Sequence, residues 1–195
     1  REGEAERTGR ELILASRPYA KERRLESWWH FGSGMLLLFA SALLAALVQP
    51  WPWRLLASLL SALMVLRVFI LYHDYMHRAL LRGSPVAKFF MHVYGLLILA
   101  PPRVWKRSHD YHHAHTAKFA GSQVGSFPTL TTGMWQRMSG KRRWMYRIAR
   151  HPFTMLFGYF TVFLWGMGIG ALLTNPRKSW DAGLSLIVHF GTLFG

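Results

Sequence analysis

The chain has 195 residues, 51% of them hydrophobic and 15% aromatic, a net charge of +15 and no cysteine. That length allows one domain, and the missing cysteines exclude disulfides, thiolate ligands and a cysteine nucleophile within it. After Glu26 there is no glutamate, and the remaining acids are Asp74, Asp110 and Asp181; this excludes a di-iron site built on inward glutamates and an H-E-x-x-H zinc protease.

Residues 1–27 are rich in Arg and Glu, with Pro18 as a breaker. They are expected to form a cytosolic N-terminal arm, a surface helix or partly disordered segment without chemistry of its own. Residues 28–195 read as one membrane-embedded domain. From Trp28 to Val48 the sequence is apolar for about 20 residues, enough to cross a hydrocarbon core of roughly 30 Å. Gln49-Pro50-Trp51-Pro52-Trp53 then breaks the helix and supplies interfacial tryptophans. A second span is predicted from Leu55 to Tyr72. Arg67, its one charge, lies near enough to the end to snorkel or to reach a polar site.

That span runs into His73-Asp74-Tyr75-Met76-His77, and a second cluster reads His109-Asp110-Tyr111-His112-His113-Ala114-His115, so that six of the ten histidines fall in two groups. On a helix His73 and His77 share one face, as do His109, His112 and His113. Each cluster offers a metal several imidazoles, which suit iron, copper, nickel and zinc alike. Asp74 and Asp110 are candidate acceptors for the ring N–H groups of bound histidines. The alternative is ion pairing, of Asp74 with Arg78 and of Asp110 with Lys106 or Arg107.

Between the clusters, Pro85 to Pro102 is apolar, but with a core of only about 15 residues, containing Lys88 and His92, it is short for a span. It is expected to be re-entrant or interfacial, which keeps both clusters on one side and lets them share metal. Basic flanks, Arg78 and Arg82 before it and Arg103, Lys106 and Arg107 after it, favour the cytosolic side. Residues 117–151 are polar, Gly-rich and then basic, with Lys141-Arg142-Arg143 among Trp135, Trp144 and Tyr146. Beside membrane spans this is read as an amphipathic helix on the lipid surface, with no nucleic-acid partner. Phe153 to Leu173, 21 residues without charge, is the third predicted span, with Gly166, Gly168 and Gly170 favouring close helix packing. Asn175-Pro176-Arg177-Lys178 turns it, and Ala182 begins a fourth. His189, inside that fourth span, is a possible additional ligand or a hydrogen-bonded packing residue. The expected fold is an all-α integral membrane protein of about four transmembrane helices, with a cytosolic histidine-rich metal site and interfacial helices.

The two clusters resemble the first two histidine boxes, H-x(3-4)-H and H-x(2-3)-H-H, of the membrane-bound fatty acid desaturases. His73 to His77 resembles the first box in its H-D-x-x-H form. Trp105 to Thr116 resembles the second, including the Trp and Ser before it and the Thr after it. The resemblance covers roughly Trp28 to Gly195. It implies a centre of two iron ions, with His73, His77, His109, His112 and His113 as ligands and Asp74, Asp110 and His115 as possible supporting residues around it. Dioxygen is then the co-substrate, two electrons come from a donor of the ferredoxin or cytochrome b5 type, and the substrate is the acyl chain of a membrane lipid or thioester. The third box, H/Q-x(2-3)-H-H, does not occur in these residues; it is expected beyond Gly195, and the chain by itself is expected to be inactive. A histidine-box hydroxylase, carotenoid ketolase or alkane monooxygenase would carry a similar site. A reading of another class is a non-catalytic membrane protein that binds haem or a metal. The excess of Arg over Lys hints at a GC-rich bacterial genome; with the predicted spans and basic flanks, the expected location is the bacterial inner membrane, as a multi-pass protein with the histidine boxes on the cytosolic side.

Overall fold

A computed structural model describes residues 8–116, 118 and 129–194. The first residues of the arm, most of the Gly-rich stretch after the second cluster, and Gly195 lie outside the described residues. The described elements are all helical, and the chain divides into two compact units, Arg1–Lys88 and Phe89–Gly195.

In the first unit, α1 (Gly9–Ser16) starts at Thr8, whose backbone N–H donates to the Glu11 carboxylate at 3.0 Å. A single 3-10 turn, Arg17–Ala20, follows at Pro18. Two long antiparallel partners come next, α2 (Arg24–Leu47) and α3 (Trp51–Met76), with the Pro50 region between them as the turn. The 26 residues of α3 make about 39 Å of helix, more than the bilayer core requires. Both helices are long and apolar enough to cross a membrane. Their outer faces leave Leu36, Phe39, Leu63, Leu66 and Ile70 exposed, as suits side chains solvated by lipid rather than water. The seam between them is built on Gly34. A methyl group there would meet Leu71 Cδ1 at 3.0 Å and Val68 Cγ2 at 3.5 Å, so α2 and α3 approach closely at a position that leaves little room for a side chain. Arg67 is spent in the same seam, donating from Nη2 to Ser33 Oγ at 3.2 Å.

After α3 the backbone turns through left-handed conformations at Arg78 (φ 60°), Leu81 (φ 48°) and Gly83 (φ 78°). For a non-glycine residue this costs roughly 1–2 kcal/mol, and the arm holds the turn in place. The Glu22 carboxylate accepts the Leu81 N–H, Arg24 Nη1 donates to the Arg82 carbonyl at 2.9 Å, and the Leu81 side chain is fully buried.

The second unit begins within α4 (Pro85–Leu97). Leu99 adopts φ 58°, and the chain bends by 88° into α5 (Pro102–Ala114), the geometry of a broken span or a re-entrant loop. Counted as one span, α4 and α5 would make a third crossing among the described residues. Further on come α6 (Thr132–Arg137) and α7 (Gly140–Ala149), capped by the hydroxyls of Thr131 and Ser139. Arg143 and Arg147 lie over the Trp135 ring, 6.0 and 5.3 Å from its centroid, while Trp144, Met145 and Ile148 remain exposed. The unbroken span predicted for Phe153 to Leu173 is instead interrupted. It consists of α8 (Pro152–Leu156), a π-helix over Tyr159–Gly170 and α9 (Ala171–Thr174). The wider π-helical turn brings carbonyls close under later residues: a Cβ at Gly170 would lie 2.8 Å from the Trp165 carbonyl oxygen, so only glycine is accommodated. The unit closes with α10 (Trp180–Phe194), 15 residues long and thus about 22 Å, which packs against α5, the π-helix and α9.

Candidate metal centre

In the first unit, α3 delivers His73 one turn from its end and His77 as its C-cap, whose N–H bonds the His73 carbonyl. Four-residue spacing sets the two rings 4.5 Å apart between centroids, at 64°. His73 is half-buried and His77 exposed. Asp74 Oδ1 lies 3.0 Å from His73 Nδ1. An ionised carboxylate only accepts, so Nδ1 carries the proton and the lone pair of His73 is on Nε2. That is the orientation in which a carboxylate fixes a metal-binding histidine.

In the second unit, α5 carries His109, His112 and His113 in its last two turns. Nε2 of His109 and Nε2 of His113 face each other at 3.0 Å. Two imidazole nitrogens bound about 2.1 Å from one ion and roughly at right angles are separated by about 3.0 Å, so this pair has the bite of two adjacent ligands. His109 is further held by Trp105, which is buried and stacks on its ring with centroids 4.3 Å apart at 23°. The His112 ring is 6.1 Å from that of His109, and its buried Nδ1 has no hydrogen-bond partner among the described residues. A buried imidazole nitrogen without a partner is costly unless something binds it.

The remaining candidates take other places. Asp110 is engaged by Lys106 Nζ at 2.8 and 2.9 Å, an exposed ion pair one turn back along α5 rather than a support for a histidine. His115 turns to its own helix, with Nδ1 2.9 Å from the Tyr111 carbonyl and its ring stacked on Tyr111 at 3.9 Å. His189 has both nitrogens occupied: Nδ1 lies 2.5 Å from the Leu97 carbonyl and Nε2 lies 2.8 Å from the Tyr159 hydroxyl. It thereby joins α10 to the end of α4 and to the π-helix. Arg107 spends its guanidinium on the Lys178 carbonyl at 3.2 Å and Ser179 Oγ at 2.9 Å. The stacking role of Trp105 was available in the sequence, since it lies four residues before His109 and so on the same helix face. No local signal announced the contacts of Glu22 or of Asp181, which accepts the Arg103 N–H from 78 positions away.

Compared with known proteins, residues 49–195 match the family described as fatty acid desaturase. A protein of Bacillus subtilis named fatty acid desaturase is 29% identical over 108 residues, covering 55% of this chain and 31% of that protein. The chain therefore spans about a third of the length of this curated relative. No solved structure matches.

Proposed function

The chain belongs to the fatty acid desaturase family, and from that premise we propose that the full-length protein is a membrane oxidoreductase that introduces a double bond into an acyl chain at a histidine-held di-iron centre. The observation that carries this reading is the His109–His113 pair, whose nitrogens are 3.0 Å apart in the segment that the family covers. In the proposal His73 and His77 provide the second pair and His112 a fifth nitrogen. Two irons held by these histidines would supply the oxidising power for removing two hydrogens from adjacent carbons, with dioxygen, two electrons and two protons consumed and two waters released.

The chain's own residues set the conditions for that chemistry. Asp74 keeps the Nδ1 proton on His73 and so presents Nε2. Trp105 covers one face of the His109 ring and fixes its plane. The exposed apolar faces of α2 and α3 lie open to lipid, the phase in which the acyl substrate is dissolved. On this reading the substrate is an acyl-lipid or acyl-thioester, the histidines face the cytosol, and electrons arrive from a donor of the ferredoxin or cytochrome b5 type. The protein then works as a multi-pass protein of the bacterial inner membrane.

The test is the fatty acid profile of a host producing the full-length protein. New double bonds that disappear in the His109→Ala variant are expected. New hydroxyl or keto groups would move the protein to the oxygenases with similar boxes. An unchanged profile from membranes containing folded, iron-loaded protein would contradict the proposal.

A further inference from the structure

Asp181 is the one acid of the membrane-embedded region that lies away from the histidine clusters, and it is 3% exposed. Its Oδ2 accepts the Arg103 N–H at 2.7 Å. Its Oδ1 is buried and has no partner among the described residues. A half-satisfied carboxylate in such a place is expensive unless its charge is stabilised otherwise. Two helix N-termini provide that stabilisation. Asp181 is in the first turn of α10, and Arg103 is in the first turn of α5, so the positive ends of both helix dipoles converge on one carboxylate.

The beginning of α5 explains why an acid is needed from elsewhere. Pro101 is its N-cap, with no side chain able to cap, and Pro102 follows. Neither proline has an N–H, so Arg103 offers the first backbone donor of the helix. Asp181 takes that donor. One turn later Arg107 is tied to the Lys178 carbonyl and Ser179 Oγ, and the Arg103 guanidinium lies 5.7 Å from the centroid of Trp180. Four consecutive residues, Lys178 to Asp181, thus grip the first two turns of α5 at both Arg103 and Arg107. Between those grips sits Trp105, whose ring is stacked on His109.

We propose that Asp181 is a positioning residue for the metal site: it caps α5 from α10 and so fixes the rotation of the helix that aims His109 and His113. The inference rests on the metal-site reading above, and the test keeps the two apart. Backbone hydrogen exchange and cobalt(II) binding, followed by visible absorption, are compared for full-length wild-type, Asp181→Ala and Asp181→Asn proteins in detergent. In Asp181→Ala, exchange of the amides at 103–107 is expected to rise about tenfold and cobalt affinity to fall about tenfold, the scale of a lost supporting hydrogen bond. Exchange in α2 and α3 stays unchanged. Asp181→Asn, which keeps an acceptor oxygen, recovers most of both effects. Unchanged exchange in α5, an equal rise in every helix, or a loosened α5 with unaltered cobalt affinity would each overturn the proposal. If wild-type protein takes up no cobalt, the metal-site reading fails. The exchange arm then still decides, since selective loosening of α5 upholds Asp181 as its anchor and unchanged exchange removes it.

Discussion

Asp74 and Asp110 each follow a histidine directly, yet they do different work. Asp110 has Lys106 four residues before it and pairs with it; Asp74 has Ile70 at that position, and Arg78, four residues after it, lies past the end of α3 at φ 60°, so Asp74 turns to His73 instead. The sequence left both roles open for both residues, because only the neighbours on the helix face decide between them. Asp74→Asn is therefore expected to weaken metal binding about tenfold. Asp110→Asn is expected to cost only about 0.3–0.5 kcal/mol of stability and no metal. Metal titration beside thermal unfolding checks both, and equal effects from the two variants would contradict the assignment. Glu22 supplies a pH signature. Burial pushes its carboxyl up, but the Leu81 N–H, the Ser27 hydroxyl and Arg24 outweigh this and leave it below the ordinary 4.5. A carboxylate with a lowered folded value stabilises above its unfolded value and loses that contribution as pH falls through the folded one. Protection of the Leu81 amide from exchange should thus be full at neutral pH and decline below 4.5, and Glu22→Gln should abolish the decline.

Among the elements, the helices that carry the clusters were legible because their patterns are local. An apolar run ending in H-x-x-x-H reads as a helix with two rings on one face, and α3 ends in that way. The polar helix α5 could be placed from the same spacing. The breaks were less visible. Phe153 to Leu173 has no charge to mark the interruption between α8 and the π-helix, since hydropathy reports composition rather than hydrogen-bond register. The left-handed Leu99 at the α4–α5 bend is equally silent, because leucine does not favour that conformation and tertiary packing imposes it. Close packing of α2 on α3 at Gly34 yields a prediction at this scale. Gly34→Leu would force the helices apart and cost about 1–3 kcal/mol, as overpacking does. A thermal midpoint that drops in this variant and is unmoved in Gly32→Leu, where nothing lies within 4 Å, is the expected result.

Across the whole molecule, composition and hydropathy indicated a helical membrane protein, and two or three of the described helices meet the requirements of a span. The candidate metal-binding histidines could be singled out in the sequence because metal chemistry constrains residue type and spacing together. The long-range contacts that fix the chain near them could not. Glu22 reaches Leu81 and Asp181 reaches Arg103 across 59 and 78 positions, and no periodicity encodes a contact of that range. The central claim is that the histidines of α3 and α5 hold iron. Elemental analysis of the full-length protein purified in detergent, beside the double variant His109→Ala, His113→Ala, tests it most directly. About two irons per chain, lost in the variant while its helical content is retained, is the expected result; zinc, haem or no metal in well-folded wild-type protein would contradict the account.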